Sequence, residues 1–353
     1  MLRNLVGQHF IFGFEGTSVS SELKSFIKEY CPSGFILFKH NVESPQQLVE
    51  LCTQLQKASS SPLFIGIDQE GGRVMRLGPP FIQAPPAHTV ASTKNPSLAF
   101  ELSKLMGEEL LSVGINLNFS PVCDVLVNEF NAVIGDRAYG GEPATVSQYC
   151  IQTIRGFLKS GILPCAKHYP GHGTPQEDSH LELPKSDAPL EILVNREFKP
   201  FAAAIEARVP FIMTAHILYS YFDKHLPATL TPSAMSYLRE KMNFPGIIIS
   251  DDMNMKAVSK NFGEDEALAL ATEAGIDILL YCDQDLSHHV KLWENLYQLA
   301  EEESFVLNLL EQSYSRISKI KTSYLTSPIP SPNTWQTTID KSKQQKLLKK
   351  IPE

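Results

Sequence analysis

The segment IIISDDMNM sets two carboxylates, Asp251 and Asp252, at the end of a run of isoleucines. Neighbouring residues on a strand point to opposite faces, so one carboxylate can enter the space at the strand end while the other turns outward. An ionised carboxylate there, for which Asp251 is the candidate, can attack a sugar carbon and form a covalent glycosyl-enzyme. Asp252 suits the N-cap of the next helix. A second segment, KHYPGHGTPQEDSH, runs from Lys167 to His180. Its Pro170, Gly171, Gly173 and Pro175 exclude a regular helix, so His168 and His172 do not share a helix face despite their spacing. Asp178, two residues before His180, can orient that imidazole and stabilise its cation, which makes the pair a candidate general acid/base. A competing reading takes His168, His172, His180 and His216 as the source of three zinc ligands beside an open position. A third segment, GIDQEGGRVMR, offers Asp68, Arg73 and Arg76 around a turn at Gly71 and Gly72, and VIGDRAYGG adds Arg137. Carboxylates and guanidiniums suit a polyhydroxylated ligand, to which they make charge-assisted hydrogen bonds.

Something must bring these segments together. Short apolar runs alternate with longer helical patterns along the chain. The candidate strands are Phe10–Phe14, Phe35–Phe38, Leu63–Asp68, Asn116–Phe119, Pro164–His168, Phe211–His216, Ile247–Asp251 and Ile276–Tyr281. Several are continuous apolar runs, as parallel strands buried on both faces require. Between two of them Leu98, Leu102, Leu105, Met106, Leu110 and Val113 fall on one helix face, and Gly114 ends that helix. About eight strand–helix units make a (β/α)8 TIM-type barrel in the α/β class. An open doubly wound sheet is the other arrangement considered, but no G-x-G-x-x-G follows the first strand. Asp68, Lys167, His168, His216 and Asp251 all sit at C-terminal strand ends, which in a barrel is the active-site face.

The 353 residues suit one such barrel, here residues 1–325. Ser327–Pro332 (SPIPSP) then reads as a linker, and residues 326–353 as that linker plus a solvated, partly helical basic tail carrying Lys341, Lys343, Lys346, Lys349 and Lys350. A net charge of −8 gives no general basic face, so nucleic acid is not an expected partner. No run is apolar and long enough to cross a bilayer, and the start, MLRNLVGQHFIFGFEG, has no clean signal-peptide core and cleavage site. The six scattered cysteines read as reduced thiols, and the expected compartment is the cytoplasm. A monomer is the expected state.

Taken together, GIDQEGGRVMR, the INLNFSPVCDV run, VIGDRAYGG, AKHYPGHG…DSH, the IMTAHI run and IIISDDMNM resemble glycoside hydrolase family 3. The resemblance is closest to its single-domain bacterial β-N-acetylglucosaminidases of peptidoglycan recycling, whose histidine-bearing loop other branches lack. It spans about residues 5–320. What it implies is a retaining, metal-independent hydrolysis of terminal β-linked N-acetylglucosamine without cofactor, with cytosolic muropeptides as the expected substrates. By motif position Asp251 matches the nucleophile, His180 the acid/base and Asp178 its partner. Asp68, Arg76, Arg137, Lys167 and His168 match sugar-binding positions. Thr174 and Pro175 depart from the Asp-Thr that often follows GHG. Transfer of the sugar to phosphate within the same family, a metal-dependent amidohydrolase on the same barrel, and a catalytically silent sugar-binding barrel are the alternatives. Retention of Asp251, Asp178 and His180 speaks against the last, since binding alone needs no nucleophile.

Overall fold

A computed structural model describes residues 2–128, 130–172, 183–326, 329–331 and 333–352. Eight parallel strands close a barrel in chain order: β1 Phe10–Phe12, β2 Gly34–Leu37, β3 Phe64–Ile67, β4 Leu117–Asn118, β5 Leu163–Tyr169, β6 Phe211–Thr214, β7 Ile247–Asp252 and β8 Ile278–Tyr281. β8 pairs with β1, Phe10 to Leu279, and shuts the cylinder. The barrel foreseen from the alternating runs is therefore present, with helices around it.

The period of two along each strand sorts side chains into two layers. Ile36, Phe64, Leu117, Leu163, Cys165, Phe211, Met213, Ile247, Ile249, Ile278 and Leu280 pack together inside the barrel. Their strand neighbours, among them Phe35, Leu37, Ile65, Ile212, Ile248 and Leu279, join the larger core outside it, against the helices. The same parity carries upward from the interior layer. Asp68 continues the series Phe64, Gly66; Lys167 continues Leu163, Cys165; Asp251 continues Ile247, Ile249. Each reaches the mouth from an inward position. The ladder shifts register between Ala166 and Tyr169 on β5, and between Ile249 and Asp252 on β7. Such irregularities at a barrel rim re-aim side chains, and here they fall on the two strand ends that carry the site.

The foreseen helix spans Ser97–Ser112, with Leu98, Leu102, Leu105, Met106 and Leu110 buried and Gly114 at φ +94° beyond its end. The tail is partly helical, as expected, but it docks instead of lying free in solvent. A helix at Lys341–Leu348 follows the linker, and Leu347 and Ile351 are buried in the main core. Gln344 Nε2 donates to Glu109 Oε1 at 2.8 Å and to the Pro80 carbonyl at 2.9 Å. The lysines lie outward while these three residues dock inward, so the segment is amphipathic and not simply solvated. Among the described residues, no helix is long and apolar enough to cross a membrane.

Candidate active site

A cavity of about 410 Å³ opens at the C-terminal mouth of the barrel. Asp68, Arg76, Arg137, Lys167, His168, Asp251 and Asp252 all line it, so six of the eight residues singled out as catalytic or sugar-binding converge there. The remaining two, Asp178 and His180, lie outside the described residues.

Two carboxylates and three cations form one connected network in the mouth. Asp68 Oδ1 accepts from Lys167 Nζ at 2.8 Å, and its Oδ2 from Arg76 Nη2 at 3.0 Å. Lys167 Nζ also reaches Glu70 Oε1 at 2.6 Å. Glu70 takes Arg137 through both oxygens, at 2.8 and 2.9 Å, in a bidentate fork. Burial alone would push the Glu70 carboxyl up and the Lys167 ammonium down. The facing charges outweigh it: Arg137 and Lys167 hold Glu70 well below the usual carboxylate range, and Asp68 and Glu70 raise Lys167. Glu70, Lys167 and Arg137 therefore keep their charges at neutral pH.

The hairpin Gln69–Gly71 with Val74–Met75 supplies Glu70 and Arg76. Gly71 is at φ +120°, and a Cβ there would lie 2.5 Å from the Pro85 carbonyl, so the turn requires glycine as the sequence suggested. Arg73 points from the same turn to the opposite loop. Its Nη2 donates to the carbonyls of Ala132 and Val133 at 2.7 and 2.8 Å, and its Nε to Asp136 at 3.1 Å. It thereby ties down the loop that presents Arg137.

Asp251 faces this network from β7. Its Oδ1 accepts the Asp252 amide at 2.8 Å. Burial would raise its pKa, but His168, His216, the Asp252 amide and Lys167 together hold it below the ordinary aspartate value. It is thus an ionised carboxylate on the barrel floor, as a nucleophile must be. Its neighbour behaves differently. Burial pushes Asp252 up to about 6, although its Oδ1 accepts the amides of Asn254 and Cys282, each at 3.1 Å. Asp252 is not the N-cap foreseen from the sequence: the next helix, Lys256–Ser259, starts after Met255 with no side-chain cap, and Asp252 instead closes a turn through these two amides.

The histidines are already engaged. His168 Nδ1 lies 2.7 Å from Asp124 Oδ2, and the His172 amide donates to Asp124 Oδ1 at 2.7 Å. The two rings meet edge to face, not side by side on a helix. His216 Nδ1 faces Thr229 Oγ1 and its Nε2 faces the Asp252 carbonyl, both at 3.0 Å. Burial lowers His172 to about 4 and also lowers His216, so both rings are neutral at physiological pH.

Two site residues escaped the sequence reading. Glu70 and Asp124 were part of quoted motifs but received no role. Each is a carboxylate in the loop that follows a strand, Glu70 after β3 and Asp124 after β4, which was the available signal. Their importance depends on basic side chains, Arg137 and His168, 67 and 44 positions away in the chain.

Comparison with known proteins agrees with this geometry. The family model described as the glycosyl hydrolase family 3 N terminal domain matches residues 2–320. A β-hexosaminidase of Methylococcus capsulatus is 37% identical over 77% of this chain and 82% of its own length. The structure of a glycoside hydrolase family 3 β-N-acetylglucosaminidase from Paenibacillus sp. superposes with a TM-score of 0.90, at 30% identity, covering 99% of this chain and 68% of that one. That of a β-N-acetylhexosaminidase from Beutenbergia cavernae gives 0.84 at 26% identity, covering 91% and 98%. With a family match over nearly the whole barrel and a mouth built from the family's motifs, this chain belongs to glycosyl hydrolase family 3 and is a glycoside hydrolase.

Proposed function

We propose that the chain is a retaining β-N-acetylhexosaminidase that removes terminal β-linked N-acetylglucosamine. Relatives named β-hexosaminidase and β-N-acetylglucosaminidase support that activity. The observation that carries the mechanism is the ionised Asp251 facing a cavity ringed by Asp68, Arg76, Lys167, Arg137 and His168. The ring's hydrogen-bonding groups hold the hydroxyls of the terminal sugar and set the anomeric carbon against Asp251. In the first step an Asp251 oxygen bonds to that carbon while the glycosidic C–O bond breaks, and the leaving oxygen takes a proton from His180. In the second, His180 removes a proton from water, water attacks the same carbon, and the Asp251 carboxylate is released. Asp178 steadies the protonated imidazole. The roles of Asp178 and His180 rest on the D-S-H spacing and the family motif. Cell-wall muropeptides as substrates and a cytoplasmic setting rest on the resemblance to recycling enzymes.

The test is a panel of chromogenic β-glycosides, assayed with and without phosphate and EDTA. The β-N-acetylglucosaminide is expected to react far faster than the β-glucoside, through hydrolysis, and to withstand chelation. Comparable kcat/KM on both sugars overturns the specificity. A sugar phosphate as product replaces hydrolysis by phosphorolysis. Activity lost with EDTA and restored by zinc overturns the metal-independent mechanism.

A further inference from the structure

Beyond the catalytic mouth, the loop after β8 gathers two imidazoles and two carboxylates. Asp283 Oδ2 lies 3.1 Å from His288 Nδ1, and Asp283 Oδ1 lies 3.1 Å from His289 Nε2. One ligand atom from each of these three residues falls within 4.8 Å of the others, the one such trio among the described residues. The two histidines open the helix Leu286–Glu302, so Asp283 meets both from the strand end that precedes it.

His289 is the unusual member. It is fully buried, with its ring stacked on Phe12 at 4.3 Å between centroids. Among the described residues neither ring nitrogen has an aligned hydrogen-bond partner: Nε2 approaches Asp283 Oδ1 at the distance of a bond but without its alignment. Buried polar atoms are normally satisfied, so a nitrogen left unpaired beside a carboxylate calls for another partner.

We propose that Asp283, His288 and His289 bind a divalent first-row transition ion of the zinc class. Two imidazoles and one carboxylate suit such borderline ions better than magnesium or calcium, which favour oxygen ligands. Each imidazole nitrogen is 3.1 Å from one of the two Asp283 oxygens, and one ligand atom from each residue falls within 4.8 Å of the others, a spread that small side-chain shifts can close around an ion with bonds of roughly 2.0–2.2 Å. The surroundings also match a metal site. His288 Nε2 lies 2.6 Å from Glu264 Oε2, so a carboxylate would fix the tautomer that leaves Nδ1 free to ligate. Lys291 Nζ balances Glu264 at 2.6 Å, and Asn254 Nδ2 holds Asp283 Oδ2 at 2.7 Å.

The ion would act as a staple and take no part in the reaction. The amides of Asn254 and Cys282 both donate to Asp252, beside Asp251. Asn254 also donates to Asp283. Fixing Asp283 therefore fixes the loops after β7 and β8 that border the nucleophile.

The test uses the full chain, stripped with EDTA and titrated with zinc chloride by calorimetry, with magnesium as control and melting followed in parallel. One zinc per chain should bind at micromolar affinity or tighter, with no response to magnesium. At free zinc a hundred times Kd, the melting temperature should rise by about 4 °C. Asp283→Asn and the less buried His288→Gln should each weaken zinc binding tenfold or more, while Asp251→Asn should leave it unchanged. Absence of binding in the parent protein overturns the proposal, as does binding indifferent to both cluster variants. Loss of binding in Asp251→Asn would put the ion in the barrel mouth and equally overturn it.

Discussion

Glu70 is the charge that lets two cations share the floor of the mouth. Lys167 is 3% exposed and Arg137 is 12% exposed, and both bond to the same carboxylate. Glu70→Ala leaves two buried cations, with Asp68 still bonded to Lys167 and no carboxylate bonded to Arg137 among the described residues. Breaking a buried ion pair from one side costs about 3–5 kcal/mol. For 353 residues the unfolding entropy is about 0.7 kcal/mol/K, so the melting temperature should fall by about 4–7 °C. Glu70→Gln preserves the shape and removes the charge, and should cost about half as much. Function should respond separately. Burial lowers the Lys167 pKa and Asp68 and Glu70 raise it, so loss of Glu70 moves it down. Lys167 then loses its proton at lower pH than in the parent, and KM for a β-N-acetylglucosaminide should climb on the alkaline side. The assays are urea unfolding at pH 7 and kcat/KM from pH 6 to 10. A Glu70→Gln protein within about 1 kcal/mol of the parent, with parental KM throughout, would refute this account of the network.

Asp252→Asn should stabilise the protein by about 1–3 kcal/mol at pH 7.5. Burial first, then the facing Asp251 and Asp283, raise its folded pKa to about 6 from 3.8, so the cost of its charge is absent below pH 4, grows as pH rises and is complete above about 6. Melting curves at pH 4 and 7.5 check this, and an equal effect at both contradicts it. His180→Ala should depress kcat/KM for poor leaving groups by about 100-fold or more while sparing activated aryl glycosides; equal losses across a leaving-group series would make the loop only a substrate clamp. Arg73→Ala should raise KM about three- to tenfold by loosening the loop that presents Arg137, with less than about 1 kcal/mol change in stability because the Arg73 side chain is half exposed. An unchanged KM would show that the loop holds its place without Arg73.

The barrel was legible because buried parallel strands write themselves as short apolar runs, and all eight foreseen runs overlap a barrel strand. The ends were less so: Asn116–Phe119 shrinks to Leu117–Asn118, and Ile276–Tyr281 begins at Ile278. Asn116 instead caps the sheet through its side chain, accepting from the Ile65 amide and donating to the Leu63 carbonyl. Asp68, Lys167 and Asp251 could be picked out because inward parity and a strand end coincide in each. Glu70 and Asp124 could not, because a buried carboxylate declares itself only through the basic side chains that fold against it. Composition hid the docking of the tail, where five lysines mask Leu347 and Ile351. The Asp283–His288–His289 group was equally hidden, since a strand–helix junction brings together residues that share no motif.

The central claim is that Asp251 forms the covalent bond to the sugar. Incubation with a mechanism-based fluorosugar of the N-acetylglucosamine series, followed by intact mass measurement and peptide mapping, tests it directly. The account predicts one sugar per chain, carried on the peptide containing IIISDD and localised to Asp251 by fragmentation, with Asp251→Ala unlabelled and slowed on the order of a thousandfold or more. Label on Asp252 or Asp68, or an Asp251→Ala protein that still turns over at near-parental rate, would contradict it.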